Sequence, residues 1–99
     1  MAKLNPLIHQ PTRLRIMAAL VSLDVDERAD FVFLRDLLEL TDGNLSAHLQ
    51  KLEEAKYVAV EKTFEGRRPK TWIQVTPRGH DAFAAHVNAL ETIVEKANL

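Results

Sequence analysis

The chain has 99 residues, 46% of them hydrophobic and 27% charged, which fits one globular domain with a single core and argues against disorder. It contains no cysteine, so disulfides, thiolate metal sites and thiol redox sensing are excluded. Its net charge is only −1, no apolar run nears the roughly 20 residues of a membrane span, and the start MAKLNPLIHQ lacks the apolar stretch of a secretory signal; a cytoplasmic protein is expected.

Residues 5–23 read as helical. Pro6 and Pro11 suit first helical positions after Asn5 and Gln10, and Leu14, Met17, Ala18 and Val21 recur at i, i+3, i+4, i+7. Residues 24–30 are polar and aperiodic, so a loop is expected. Phe31 and Val32 suit a short strand before a second helix over about 33–40, with Leu34, Leu37 and Leu38 on one face. Thr41, Asp42 and Gly43 predict a tight turn, with side-chain caps from the first two and positive φ at the glycine.

A third helix is expected over about 44–55. At 100° per residue Leu45, Leu49 and Leu52 form its buried stripe, and Gly43, Ala47, Gln50 and Glu54 gather opposite, flanked by Ser46 and Lys51. Short side chains, hydroxyls and amides on one face suit a helix that enters a DNA major groove, with phosphates favoured at its N-terminus. Asp42 and Glu54 count against this, because both repel phosphates. The plain alternative is the solvated face of an amphipathic helix. Asn44 is expected chiefly to cap or brace the turn.

Two strands follow, Tyr57 to Phe64 and Thr71 to Thr76, with Val58 and Val60 alternating on the first and Ile73 and Val75 on the second. Between them the sequence FEGRRPK reads as a hairpin loop, its base braced by Phe64. Residues 61–80 carry five cations against two acids, whereas residues 24–42 carry seven acids against two cations. Arg67, Arg68 and Lys70 can therefore form a local electrostatic footprint on a neutral chain, reaching phosphates or a minor groove. Thr76-Pro77 is a strong start for a last helix over about 77–96.

Two short helices joined by a tight turn and followed by a basic hairpin make a winged helix-turn-helix layout. Here LTDGNLSAHLQKLEEAKYVAVEK and then FEGRRPKTWIQVTPRGHDAF resemble the small winged-helix transcriptional regulators related to the ArsR and MarR groups, and above all a short family with an LTxGNLSxHLxxLE motif. PTRLRIMAAL at residues 11–20 is similar to that family's first core helix. The resemblance implies a homodimer on double-stranded DNA, with the 44–55 helix in the major groove and the hairpin alongside as a wing. By position, Ser46 and Ala47 match the groove-facing pair, and Arg67 and Arg68 match the wing cations. Lys56 departs from the family's usual glycine before the strand, which implies local strain or a different turn.

In the last helix Phe83, Val87, Leu90 and Val94 form one apolar stripe and Ala82, His86, Ala89 and Ile93 a neighbouring one. Their joint width exceeds what one small core requires, so Phe83, Val87, Leu90, Ile93 and Val94 are expected to form a two-fold dimer interface besides packing on the first helix. His9, His48, His80 and His86 show no metal-ligand spacing, and His48 is expected to pack or to bond backbone. No Ser-His-Asp or Cys-His arrangement or phosphate-cradling glycine loop is present, so no catalytic activity, metal or cofactor is expected.

The expectation is a single α+β winged-helix domain over 1–99. It comprises a helix-turn-helix at about 33–55, a two- or three-stranded wing sheet with its hairpin at about 57–76, and a C-terminal dimerisation helix at about 77–96. Its expected partner is duplex DNA, held through Asn44, Ser46, Ala47, Gln50, Lys51, Arg67, Arg68 and Lys70, with no membrane association. A protein-interaction module built on the same surfaces is the rival reading, kept alive by the near-neutral charge. Regulation through a pocket near the dimer helices is a third, and the sequence names no effector.

Overall fold

A computed structural model describes residues 3–24 and 26–97. The chain opens with two short helices, α1 (Pro6–His9) and α2 (Pro11–Val21), each with proline at its start and the preceding amide side chain as its cap. The Asn5 side-chain oxygen accepts from the N–H groups of Leu7 and Ile8, and Gln10 accepts from that of Arg13. β1 (Ala29–Asp30), α3 (Phe31–Leu37), α4 (Asp42–Glu54), β2 (Val58–Glu65), β3 (Arg68–Val75) and α5 (Pro77–Ala97) follow. The three strands form one antiparallel sheet in the order β1-β3-β2, which completes the expected α+β layout.

Fully buried Ile8, Ile16, Met17, Leu20, Leu34, Leu45, Leu52 and Ile73 belong to one core that joins the helices to the sheet. Leu45, Leu49 and Leu52 lie inward as their spacing requires. The stripe expected on α2 is rotated: Ala18 is exposed, while Ile16, Met17 and Leu20 are buried. The cause is position, because α2 packs against α1, α4, α5 and β3 and so buries more than one side.

The first strand lies earlier than Phe31 and Val32 suggest, and the second helix starts at Phe31 rather than Phe33. Asp30 takes the extended N-cap conformation (φ −70°, ψ 137°), and small Ala29 is buried where it pairs with Ile73. The Asp30 side chain makes no cap hydrogen bond; pairing with β3 stops at Asp30, and tertiary placement here overrides the β-propensity of the Phe-Val pair. Leu37 is 55% exposed although Leu34 and Leu38 are buried. A helix of seven residues covers a narrow stripe, and Leu37 lies beyond its edge.

Both helices of the helix-turn-helix end in left-handed residues that are not glycine, Glu39 (φ 55°) and Lys56 (φ 64°). At the first, the Glu39 N–H donates to the Asp36 carbonyl and the Leu40 N–H to that of Arg35. At the second, the Lys56 N–H donates to the Glu53 carbonyl and the Tyr57 N–H to that of Leu52. Each pair is a Schellman closure, and the strain expected at Lys56 is present as positive φ. Gly43, by contrast, lies inside α4, and the bend expected there is made at Glu39.

The seven-residue loop is also absent. β2 and β3 pair down to Glu65 with Arg68, leaving only Gly66 and Arg67 between them. Positive φ at Gly66 (63°) and not at Arg67 is the type II′ pattern, whose twist matches its strands. Pro69 fits inside the strand because its pair with Phe64 follows a hydrogen-bonded closing pair, so β2 asks no N–H of it.

Candidate nucleic-acid interface

Thr41 caps α4, its hydroxyl accepting from the Asn44 N–H at 3.1 Å. Asn44 itself contributes no cap through its side chain, which is exposed; the brace expected of it is supplied by Thr41. Ser46, Ala47, Gln50 and Lys51 are exposed along the same helix. The carboxylate of Asp42, a repulsive charge at the helix start, is engaged by the Arg35 guanidinium at 2.8 Å; Arg35 also holds Asp36 at 2.9 Å.

Two cations outside the basic hairpin segment tie α4 and α3 into the body. The Arg13 guanidinium donates to the Leu7 carbonyl and lies 3.1 Å from His48 Nδ1. Arg15 donates to the Leu38 carbonyl at 3.0 Å. Burial holds the His48 imidazole below its ordinary pKa, and the charges of Arg13 and Lys51 lower it further. His48 therefore packs as expected, and its ring also meets a guanidinium, a partner that was not expected. A contact 35 residues away in sequence has no local signature.

Strand alternation sorts the hairpin into two faces. The inner face, continuous with the core, carries Val58, Val60, Lys62 and Phe64 opposite Val75, Ile73, Thr71 and Pro69. Its distal part meets α4 across a groove lined by Ser46, Gln50, Lys62 and Thr71, together with the acids Asp42 and Glu53. Sequence reasoning did not single out Lys62, yet the Val58, Val60 alternation continued by two residues reaches it.

The outer face is organised around Trp72. The Arg28 guanidinium lies over its ring at 4.8 Å and the Lys70 ammonium at 4.7 Å, and its Nε1–H donates to the Thr63 hydroxyl at 3.0 Å. Arg28 also pairs with Glu61 at 2.7 Å, and Lys70 with Glu65 at 3.4 Å. The two cation–π contacts contribute roughly 0.5–1 kcal/mol each and the hydrogen bond about 1 kcal/mol, whereas the part-exposed ion pairs add less. That sum matters for a two-stranded ribbon, which is marginal alone. Lys70 thus differs from its two neighbours: Arg67 and Arg68 are exposed and form no ion pair among the described residues, while Lys70 is half-buried and engaged.

Thr76 caps helix α5 from the position before it, its hydroxyl accepting from the Gly79 N–H and donating to the Lys56 carbonyl. Along it Phe83, Val87 and Leu90 are half-buried, Ile93 is 50% exposed and Val94 58% exposed. His86 is fully buried, with Nδ1 accepting from the Asn5 backbone N–H at 2.9 Å and its ring edge-on to His9 at 5.4 Å. The proton must then lie on Nε2, which finds no partner among the described residues. Burial, and secondarily the nearby His9, keep this imidazole below its ordinary pKa. Among the described residues no group of three or more His, Asp or Glu is placed to hold a metal ion, and no helix is long and apolar enough to cross a membrane.

Residues 12–94 match the family model of the winged helix DNA-binding domain. An uncharacterised protein of Methanocaldococcus jannaschii is 41% identical over 75 residues, covering 76% of this chain and 78% of its own. A transcriptional regulator homologue of Pyrococcus horikoshii superposes with a TM-score of 0.84 at 28% identity, over 94% of this chain and 89% of that one. A zinc-responsive MarR family member of Lactococcus lactis shares the fold, with a TM-score of 0.58 at 16% identity over 97% of this chain and 60% of that one.

Proposed function

Because this chain belongs to the winged helix DNA-binding domain family, we propose that it is a transcriptional regulator that binds double-stranded DNA sequence-selectively as a homodimer in the cytoplasm and catalyses no reaction. The observation that carries this reading is the exposed set Ser46, Ala47 and Gln50 on α4, beside a hairpin whose tip bears two exposed guanidinium groups without ion pairs among the described residues. In the proposed complex α4 enters the major groove, where Ser46 and Gln50 meet base edges and Ala47 permits close approach. Asn44 and Lys51 flank them on phosphates. Arg67, Arg68 and Lys62 supply sequence-independent attraction. Lys70 acts indirectly, by stiffening the hairpin through Trp72.

The homodimer is supported by α5, where Ile93 and Val94 expose apolar surface next to half-buried Phe83, Val87 and Leu90. Pairing of these helices about a two-fold axis presents two copies of α4 to half-sites about 34–36 Å apart.

The near-neutral charge favours one rival, a protein-interaction module. Arg35 weakens that rival, since it engages the Asp42 carboxylate at the start of α4. Fluorescence anisotropy against the duplex upstream of the chain's own coding region separates the two. Binding that exceeds that to a scrambled duplex and falls steeply with salt supports regulation through DNA; equal, weak binding to both, or none, favours the rival.

A further inference from the structure

Phe64 is 73% exposed, more than any other large apolar side chain among the described residues. It does not pack against the core, so what bracing it gives the hairpin is confined to its cross-strand neighbour. Its cross-strand partner is Pro69, one pair from the closing pair of the turn. Both project from the inner face, which also carries Lys62 and Thr71 beside Ser46 and Gln50 of α4. The adjacent turn holds Arg67 and Arg68, exposed and without ion pairs among the described residues. The wing tip is therefore an apolar pair collared by guanidinium groups and turned to the same side as the proposed base-reading helix.

A minor groove matches that chemistry, with phosphates along its rims and sugar and base edges along its walls. We infer that Phe64, backed by Pro69, is the wing's contact with the minor groove: the ring lies against sugar and base edges while Arg67 and Arg68 meet the flanking phosphates. The inference rests on the DNA-binding reading and adds to it a residue that senses groove shape.

The ring is presented at low cost. A two-residue type II′ turn and an opposing proline leave the tip few alternative conformations, so little ordering is lost on docking. Its selectivity follows from the groove floor. A G·C pair places the guanine 2-amino group there and an A·T pair places no donor there. An aromatic ring covers that amino group without accepting a hydrogen bond from it, leaving a buried donor unpaired. Phe64 therefore favours A·T steps where the wing lands.

The test uses the full chain and a duplex it recovers from a randomised pool, in three versions that differ only at the wing-contacted flank: A·T, G·C, and inosine·C. Inosine·C keeps the G·C major-groove acceptors but lacks the minor-groove amino group. The wild type is expected to bind the A·T and inosine·C versions alike and the G·C version about tenfold more weakly. In Phe64→Ala the three become equal, and affinity for the A·T version falls about tenfold with an unchanged salt slope, because no charge is lost. Phe64→Leu keeps part of the flank preference. Nearly unchanged thermal unfolding of both variants is expected, since the side chain lies outside the core and is mostly exposed.

A Phe64→Ala protein that retains the wild-type flank preference overturns the inference and leaves DNA binding standing. So does one whose loss lies in self-association measured without DNA, which would make the ring a protein contact. A wild type that binds none of the duplexes overturns the DNA-binding reading as well.

Discussion

Helices α4 and α5 invert one another. In α4 the leucines are buried and every polar side chain except half-buried His48 is exposed. In α5 a histidine is fully buried, while an isoleucine and a valine near its C-terminal end are half or more exposed. A helix whose leucine stripe is fully satisfied by its own subunit leaves polar and small side chains outside, and α4 fits the reading of a DNA-facing element. A helix that exposes apolar side chains while burying a polar one answers to packing on both of its sides, which suits the reading that α5 meets a second copy.

The strongest way to break the comparison is at the start of α5. A Cβ at Gly79 would overlap the Tyr57 carbonyl oxygen and lie 2.8 Å from Val75 Cγ2. Gly79→Ala should cost about 3 kcal/mol in chemical denaturation, because backbone has to move. The corresponding loss in α4 is Leu52→Ala, a cavity costing on the order of 2–5 kcal/mol at a site that is fully buried. If Leu52→Ala proved neutral, α4 would not be anchored as described.

His86 sharpens the comparison through pH. Its folded-state pKa lies below the unfolded value, so the unfolded chain binds more protons in the range where imidazole titrates. The stability it contributes is present above the unfolded pKa and lost as pH falls through the folded one. The melting temperature should drop between about pH 7.5 and about pH 5.5, and His86→Leu should flatten the drop. His48, also held low, leaves a residual acid sensitivity in that variant.

The proposed DNA contacts divide by charge bookkeeping. Arg67→Ala with Arg68→Ala should reduce the slope of log K against log salt by about 1.8, while Lys70→Ala leaves the slope nearly unchanged and loosens the hairpin instead. A full unit lost on Lys70→Ala would return that residue to the phosphate-binding set. The smallest expected effect is at the end of α4, where Lys56→Gly relieves positive φ and should stabilise by roughly 0.5–1 kcal/mol.

What the sequence revealed followed physical range. The stripe of α4 and the proline starts of α1, α2 and α5 depend on neighbours within one turn, and each was readable; the anomaly at Lys56 was visible only against the glycine that the resemblance implies there. The rotated stripe of α2 was not, because a helix packed on several sides loses a single periodic face. The hairpin misled through composition: glycine, proline and three cations resemble a loop. Yet the proline occupies a position from which β2 needs no N–H, and the lysine folds back onto a ring. Among candidate site residues, Ser46, Ala47 and Gln50 were legible as one helix face. That Lys62 and Phe64 share one strand face follows from the alternation, but that this face lies beside α4 emerged only from the fold.

Trp72 has a further use, since it is the sole tryptophan of the chain. With a guanidinium and an ammonium against its ring, its indole is a built-in spectroscopic reporter on the hairpin, with no label attached. Binding that bends the hairpin or draws either cation away changes the environment of one identified chromophore, so a shift in emission can be assigned to one residue without deconvolution.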